Sequence, residues 1–181
     1  MYGLVNHAVE GLVRRDFGAA TWEQIKADAD IDIEQFISSE NYDDSVTYAL
    51  IASASKILDL DPQTILIAFG RYWVLTTARE SYGELLMATG RTLPEFLPNL
   101  HSRVILLYTR LRPPTFRVSR ISESTIHVFY QSHRKGLDDF VVGLLEGLGE
   151  LFEIQCAVQK LATRGNEHSA SLFEVKWSPD A

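Results

Sequence analysis

Arg112-Pro113-Pro114-Thr115-Phe116-Arg117-Val118 is the stretch at which this chain changes its period. Paired prolines cannot continue a helix, because each lacks an N–H and its ring meets the preceding turn. Upstream, apolar residues recur at helical spacing. Leu4, Val5, Ala8, Val9, Leu12 and Val13 form one stripe that stops near Gly18, and Ile65, Leu66, Phe69, Tyr72 and Trp73 form another behind Pro62. Thr21 with Gln24, and Thr92 with Glu95, have the spacing of capping boxes. Downstream, β-branched and aromatic residues alternate with polar ones, which predicts a hairpin from Phe116–Ile121 and Thr125–Tyr130. Gly136–Leu151 reads as a helix, apolar at Phe140, Val141, Leu144, Leu145 and Leu148. Phe152–Leu161 and Ser169–Trp177 supply two further strands around a turn near Arg164-Gly165-Asn166. The expected fold class is α+β, with a helical N-terminal half followed by an antiparallel sheet and its packed helix.

At 181 residues with 46% hydrophobic content, the chain is expected to form one domain with a sizeable core, helical over about 1–112 and sheet plus helix over about 113–181. It has no apolar run of membrane-spanning length and no leader-like start, so no membrane span and a cytoplasmic location are expected. The net charge of −7 and the absence of a Lys/Arg stripe argue against nucleic acid as a partner. Cys156 is the only cysteine, which excludes an internal disulfide and a cysteine-cluster zinc site. Its alternation with Ile154 and Val158 predicts a buried strand residue.

The run Phe129-Tyr130-Gln131-Ser132-His133-Arg134 carries more chemistry. In an extended strand Tyr130, Ser132 and Arg134 share the face of Ile126 and Val128. Two hydroxyls and a guanidinium fork suit carboxylates, and a dicarboxylate with an apolar body would fit. A solvated strand end accounts for the same pattern. Among the five histidines, His127 and His133 alternate to the opposite face, His7 interrupts the first helix and His168 lies beside a turn. His101 follows Phe96, Leu97 and Leu100 on an apolar helical face. By spacing alone it reads as a satisfied core or surface histidine rather than as a ligand.

Five stretches in order carry a resemblance over nearly the whole chain: Met1-Tyr2-Gly3-Leu4-Val5-Asn6-His7, Tyr42-Asp43-Asp44-Ser45-Val46-Thr47-Tyr48, Asn99-Leu100-His101, Arg112-Pro113-Pro114-Thr115-Phe116, and Tyr130-x-Ser132-x-Arg134-x-Gly136-Leu137. Together they resemble the haem nitric oxide/oxygen binding (H-NOX) family. The chain is similar to the haem-bearing regulatory domain of animal soluble guanylate cyclase and to its stand-alone bacterial relatives. The segment Pro94–His101 is shorter than the family's spacing by about one helical turn.

The resemblance implies haem b, iron protoporphyrin IX, buried between helices and sheet, with His101 as the axial ligand. It implies that Tyr130, Ser132 and Arg134 hold the propionates, that Pro114 packs against the porphyrin, and that Phe96 and Leu100 wall it. Val5, Trp73, Phe140 and Leu144 fall where relatives line the gas cavity, although helical core packing explains all four equally well. Phe140 stands where oxygen-holding relatives carry a tyrosine. The implied function is a gas sensor that binds nitric oxide and carbon monoxide at ferrous iron, discriminates against oxygen, and signals by weakening the histidine–iron bond.

No Gly-rich phosphate loop, nucleophile elbow or H-E-x-x-H motif is present, so the chain is read as a regulatory domain rather than an enzyme. The implied partner is a signalling enzyme, in trans or fused: a histidine kinase, a cyclic-dinucleotide enzyme or a guanylate cyclase. The competing class is a haem-free protein-interaction module. Asp43-Asp44 and Asp138-Asp139 lie beside expected helix starts, where they favour the helix dipole.

Overall fold

The computed structural model describes residues 1–90, 92–93, 95–99, 114–163, 165 and 170–178, the side chains of 85–87 and 89 excepted. Among the described residues, five α-helices come first: α1 (Gly3–Phe17), α2 (Ala19–Asp28), α3 (Asp44–Leu58), α4 (Pro62–Tyr72) and α5 (Arg79–Thr89). Gly18, at φ 89°, ends α1 and starts α2 in a backbone region that side chains disfavour. Thr21 is therefore no cap. It lies inside α2, and its hydroxyl donates back to the Phe17 carbonyl at 2.8 Å. Asp43 and Asp61 do cap α3 and α4, each accepting from the backbone N–H two residues on, with Pro62 in the first turn of α4. Thr92 precedes a further helical stretch that includes residues 95–99, and its carbonyl accepts from the Phe96 N–H at 2.9 Å.

The second half holds β1 (Thr115–Arg120), β2 (Thr125–Gln131), α6 (Asp138–Leu151), β3 (Cys156–Ala162) and β4 (Ser171–Trp177). The strands form one antiparallel sheet in the order β1-β2-β4-β3. Its inner face is apolar at every second residue, Ile126, Val128 and Tyr130 on β2 and Phe173 and Val175 on β4, and α6 covers it with Val141, Leu145 and Leu148. Two boundaries differ from expectation. Residues 152–155 are a turn and loop that reverses the chain after α6, with Glu153 at φ 58°, and α6 starts at Asp138. Cys156 is half-buried rather than buried, because it opens an edge strand. Burial still pushes its thiol up, with Glu146 adding to the effect.

Two apolar clusters result. One gathers α1 to α4 around Val9, Leu12, Trp22, Ile25, Phe36, Leu50 and Phe69; the other joins the inner sheet face, α6, Val74, Leu93, Phe96 and Leu97. Helices α4 and α6 cross where the clusters meet. Gly70 and Gly143 let the backbones touch: a Cβ on Gly143 would lie 2.0 Å from the Ile67 carbonyl oxygen, and one on Gly70 would lie 2.2 Å from that of Phe140. Past the crossing, Trp73–Ala78 is a π-helical turn between α4 and α5, which the helical stripe ending at Trp73 did not foretell. Among the described residues no helix is long and apolar enough to cross a membrane.

Candidate functional site

The alternation of β2 delivers Tyr130 as read from the sequence. Its side chain is on the buried face, 6% exposed, with its ring 5.4 Å from Phe116. Pro114, half-buried, directly precedes the strand that carries Phe116. Beyond Gln131 the expectation fails, because the ladder stops and the chain bends through residues 133–136. Ser132 stays buried, and its hydroxyl oxygen accepts from the Arg134 N–H at 3.1 Å, closing the bend. Strand alternation therefore does not place Arg134.

A helix nearly a hundred residues upstream does. The Arg134 Nε donates to Asp44 Oδ2 at 2.9 Å, and Asp44 Oδ1 accepts from the Met1 ammonium at 2.6 Å. Burial pushes the Asp44 carboxyl up, but the ammonium and the guanidinium together overcome it and hold the group below the usual carboxylate range. One turn along α3, Tyr48 donates its hydroxyl to the Lys135 carbonyl at 2.8 Å. Sequence reasoning missed both residues. Asp44 read as a helix-dipole carboxylate, and the available signal was its spacing of four from Tyr48, which puts the two on one helical face.

An aromatic group stands on the helices. The ring centroids of Phe69 and Phe140 are 4.7 Å apart, and Trp73 meets Phe69 edge-on at 6.4 Å. Val5, Trp73 and Phe140 all pack against the N-terminal cluster, while Leu144, one turn after Phe140, packs against the sheet-side cluster that Trp73 also touches. Phe69 is the member of this group that the sequence reading took only for core. Phe96 is 1% exposed, its ring 5.6 Å from Phe152, so it anchors the segment before His101 to the C-terminal core. His101 and Leu100, the expected axial ligand and its neighbour, lie outside the described residues, as does His168. Of the competing imidazoles, His127 sits opposite Glu174 on the outer sheet face, with Nε2 3.4 Å from Oε2, and His7 Nδ1 lies 3.8 Å from Glu10.

The donor set suits an apolar molecule bearing carboxylates. Arg134 already engages one carboxylate, that of Asp44. The Ser132 hydroxyl, an acceptor in the bend, keeps a hydrogen to donate. A buried tyrosine and a half-buried proline flank them. These residues fit the edge of a porphyrin and its propionates.

Comparison with known proteins identifies the family. A family model described as Haem-NO-binding matches residues 2–160. The chain belongs to the haem-NO-binding family. That family consists of haem-binding gas-sensor domains, not catalysts. Soluble guanylate cyclase gcy-31 of Caenorhabditis elegans is 23% identical over 97% of this chain and 25% of its own length, and gcy-35 of the same animal is 27% identical over 93% and 25%. The chain thus spans about a quarter of these curated relatives. Among solved structures, the H-NOX protein of S. oneidensis in the Fe(II)NO state superposes with a TM-score of 0.86 at 16% identity, covering 98% of this chain and 99% of that one. The unliganded Fe(II) H-NOX protein of K. algicida gives 0.82 at 21%, covering 98% and 97%. At these identities the superpositions establish the fold, helices followed by a four-stranded antiparallel sheet.

Proposed function

We propose that residues 1–181 act as one sensor unit that binds haem b, takes nitric oxide or carbon monoxide at ferrous iron, discriminates against oxygen, and signals by weakening the bond to its proximal histidine. The observation that carries the gas preference is the packing of Phe140 against Phe69, with Trp73 beside it, on the helices read as the distal wall. Bound oxygen gathers negative charge on its outer atom, and a buried hydrogen-bond donor stabilises such charge by about 1.5–3 kcal/mol. Phenylalanine has no donor, so Phe140 withholds that support. Nitric oxide gathers little charge and needs none.

Haem, when bound, would supply an iron able to take both a diatomic gas and an imidazole, and the chemistry of nitric oxide there would be to weaken the iron–imidazole bond. In this reading His101 is the imidazole, and Tyr130, Ser132 and Arg134 hold the propionates while Pro114 packs on the ring. Phe96, buried in the C-terminal core just upstream of His101, ties the histidine's segment to the sheet side. Weakening of the bond to His101 would loosen a segment anchored on one cluster, and a differential affinity of gas for the tethered and loosened states would drive the shift. The output partner is a signalling enzyme in the cytoplasm, a histidine kinase, a cyclic-dinucleotide enzyme or a guanylate cyclase. The guanylate cyclases among the relatives, about four times as long as the matched region, support the last of these as a fused arrangement.

Absorption spectroscopy of the reduced protein tests the reading. Nitric oxide is expected to give a five-coordinate spectrum and air no stable oxygen complex, whereas Phe140→Tyr is expected to gain oxygen affinity by roughly tenfold or more. A persistent six-coordinate nitric oxide spectrum, or a stable oxygen complex in the unaltered protein, would count against it.

A further inference from the structure

Asp44 and Tyr48, one helical turn apart on α3, both reach the bend that follows β2. Asp44 takes the Arg134 Nε at 2.9 Å, and Tyr48 donates to the Lys135 carbonyl at 2.8 Å, while Ser132 closes the bend from within. These bonds fall on consecutive residues of a segment that has left the sheet, so no ladder holds it. Arginine has a long stem whose rotamers must be ordered before its fork can grip a carboxylate, and that ordering weakens binding unless something arranges it beforehand.

We infer that Asp44 and Tyr48 are positioning residues for the carboxylate site: from α3 they shape the bend and aim Arg134 before any carboxylate ligand arrives. The inference rests on reading Tyr130, Ser132 and Arg134 as the propionate site. The Asp44 carboxyl, faced by the Met1 ammonium, Arg134 and neighbouring Asp43, is charged at neutral pH and so remains an acceptor. Burial, aided by Asp44, pushes the Tyr48 hydroxyl up, which keeps it a donor. The arrangement also ties the anion site to the N-terminal helical cluster, since α3 contributes Leu50, Ile51 and Ala54 to that core.

The test measures transfer of haem from the loaded protein to an excess of apo-globin. Tyr48→Phe removes one hydrogen bond without changing charge and is expected to speed release about fivefold. Asp44→Asn is expected to speed it about tenfold in about 0.5 M salt, where screening within roughly 4 Å suppresses the electrostatic gain from deleting a negative charge near the ligand. In an Arg134→Ala background neither change is expected to matter, because there is no guanidinium left to aim. Thermal midpoints near that of the unaltered protein verify folding, and if Asp44→Asn does not fold, the Tyr48→Phe cycle decides alone. Wild-type release from Tyr48→Phe, or the same acceleration with and without Arg134, overturns the inference while leaving the propionate reading standing. A protein that retains no haem overturns that reading and this inference with it.

Discussion

Replacing His101 with glycine is expected to yield a folded protein that no longer keeps haem unless free imidazole is added. A neutral imidazole donates a lone pair to haem iron, and the described part of this chain gives no other histidine an equal claim. His127 lies on the outer sheet face against Glu174, His133 is exposed, and His7 sits beside Glu10. Losing a group that merely orients a metal-bound histidine costs about 10–100-fold in affinity, so deleting the ligand itself is expected to cost more. The measurement is the Soret band of the purified variant with and without imidazole, beside far-ultraviolet circular dichroism to verify the helices. Full colour in His101→Gly would assign the tether to another side chain. A colourless unaltered protein would favour the haem-free interaction module.

Gly143→Ala is expected to lower the thermal midpoint by about 2–12 °C. The added methyl would sit 2.0 Å from the Ile67 carbonyl oxygen, and because that atom is backbone, no rotamer change relieves the clash. Helices α4 and α6 must separate instead. Overpacking of this kind costs about 1–3 kcal/mol, and in a chain of this size each kcal/mol moves the midpoint by about 2–4 °C. Phe140 lies one turn before Gly143 on α6, so separation would also shift the Phe140 ring from Phe69 and is expected to alter gas binding together with stability. Gly83→Ala is the control. A Cβ there meets nothing within 4 Å, and the change is expected to be neutral or stabilising by up to about 1 kcal/mol. Equal midpoints for the two variants would contradict the close crossing.

Much of the candidate site was legible and part was not, for a reason that Tyr130 and Arg134 illustrate. Tyr130 lies within β2, where alternation of side chains is a local property of extended backbone, and it is buried as read. Arg134 lies past the last ladder pair, so its direction depends on Asp44, 90 residues away in sequence. The aromatic group divides likewise. The stripe through Phe69 and Trp73 announced an apolar helix face, but which rings meet follows from the crossing of α4 and α6 and from the π-helical turn at Trp73–Ala78.

By itself, the order of residues determined the helical character of the first half, the strands that follow Pro114, the caps at Asp43 and Asp61, and the buried face of β2. Each of these is set by steric and hydrogen-bonding preferences acting over a few neighbouring residues. Only the tertiary structure decided that Asp44 on α3 accepts from the guanidinium of Arg134, that α4 and α6 touch through Gly70 and Gly143, and that Cys156 stays half-buried at a sheet edge. Those outcomes depend on packing between distant segments, whose relative placement no local preference encodes.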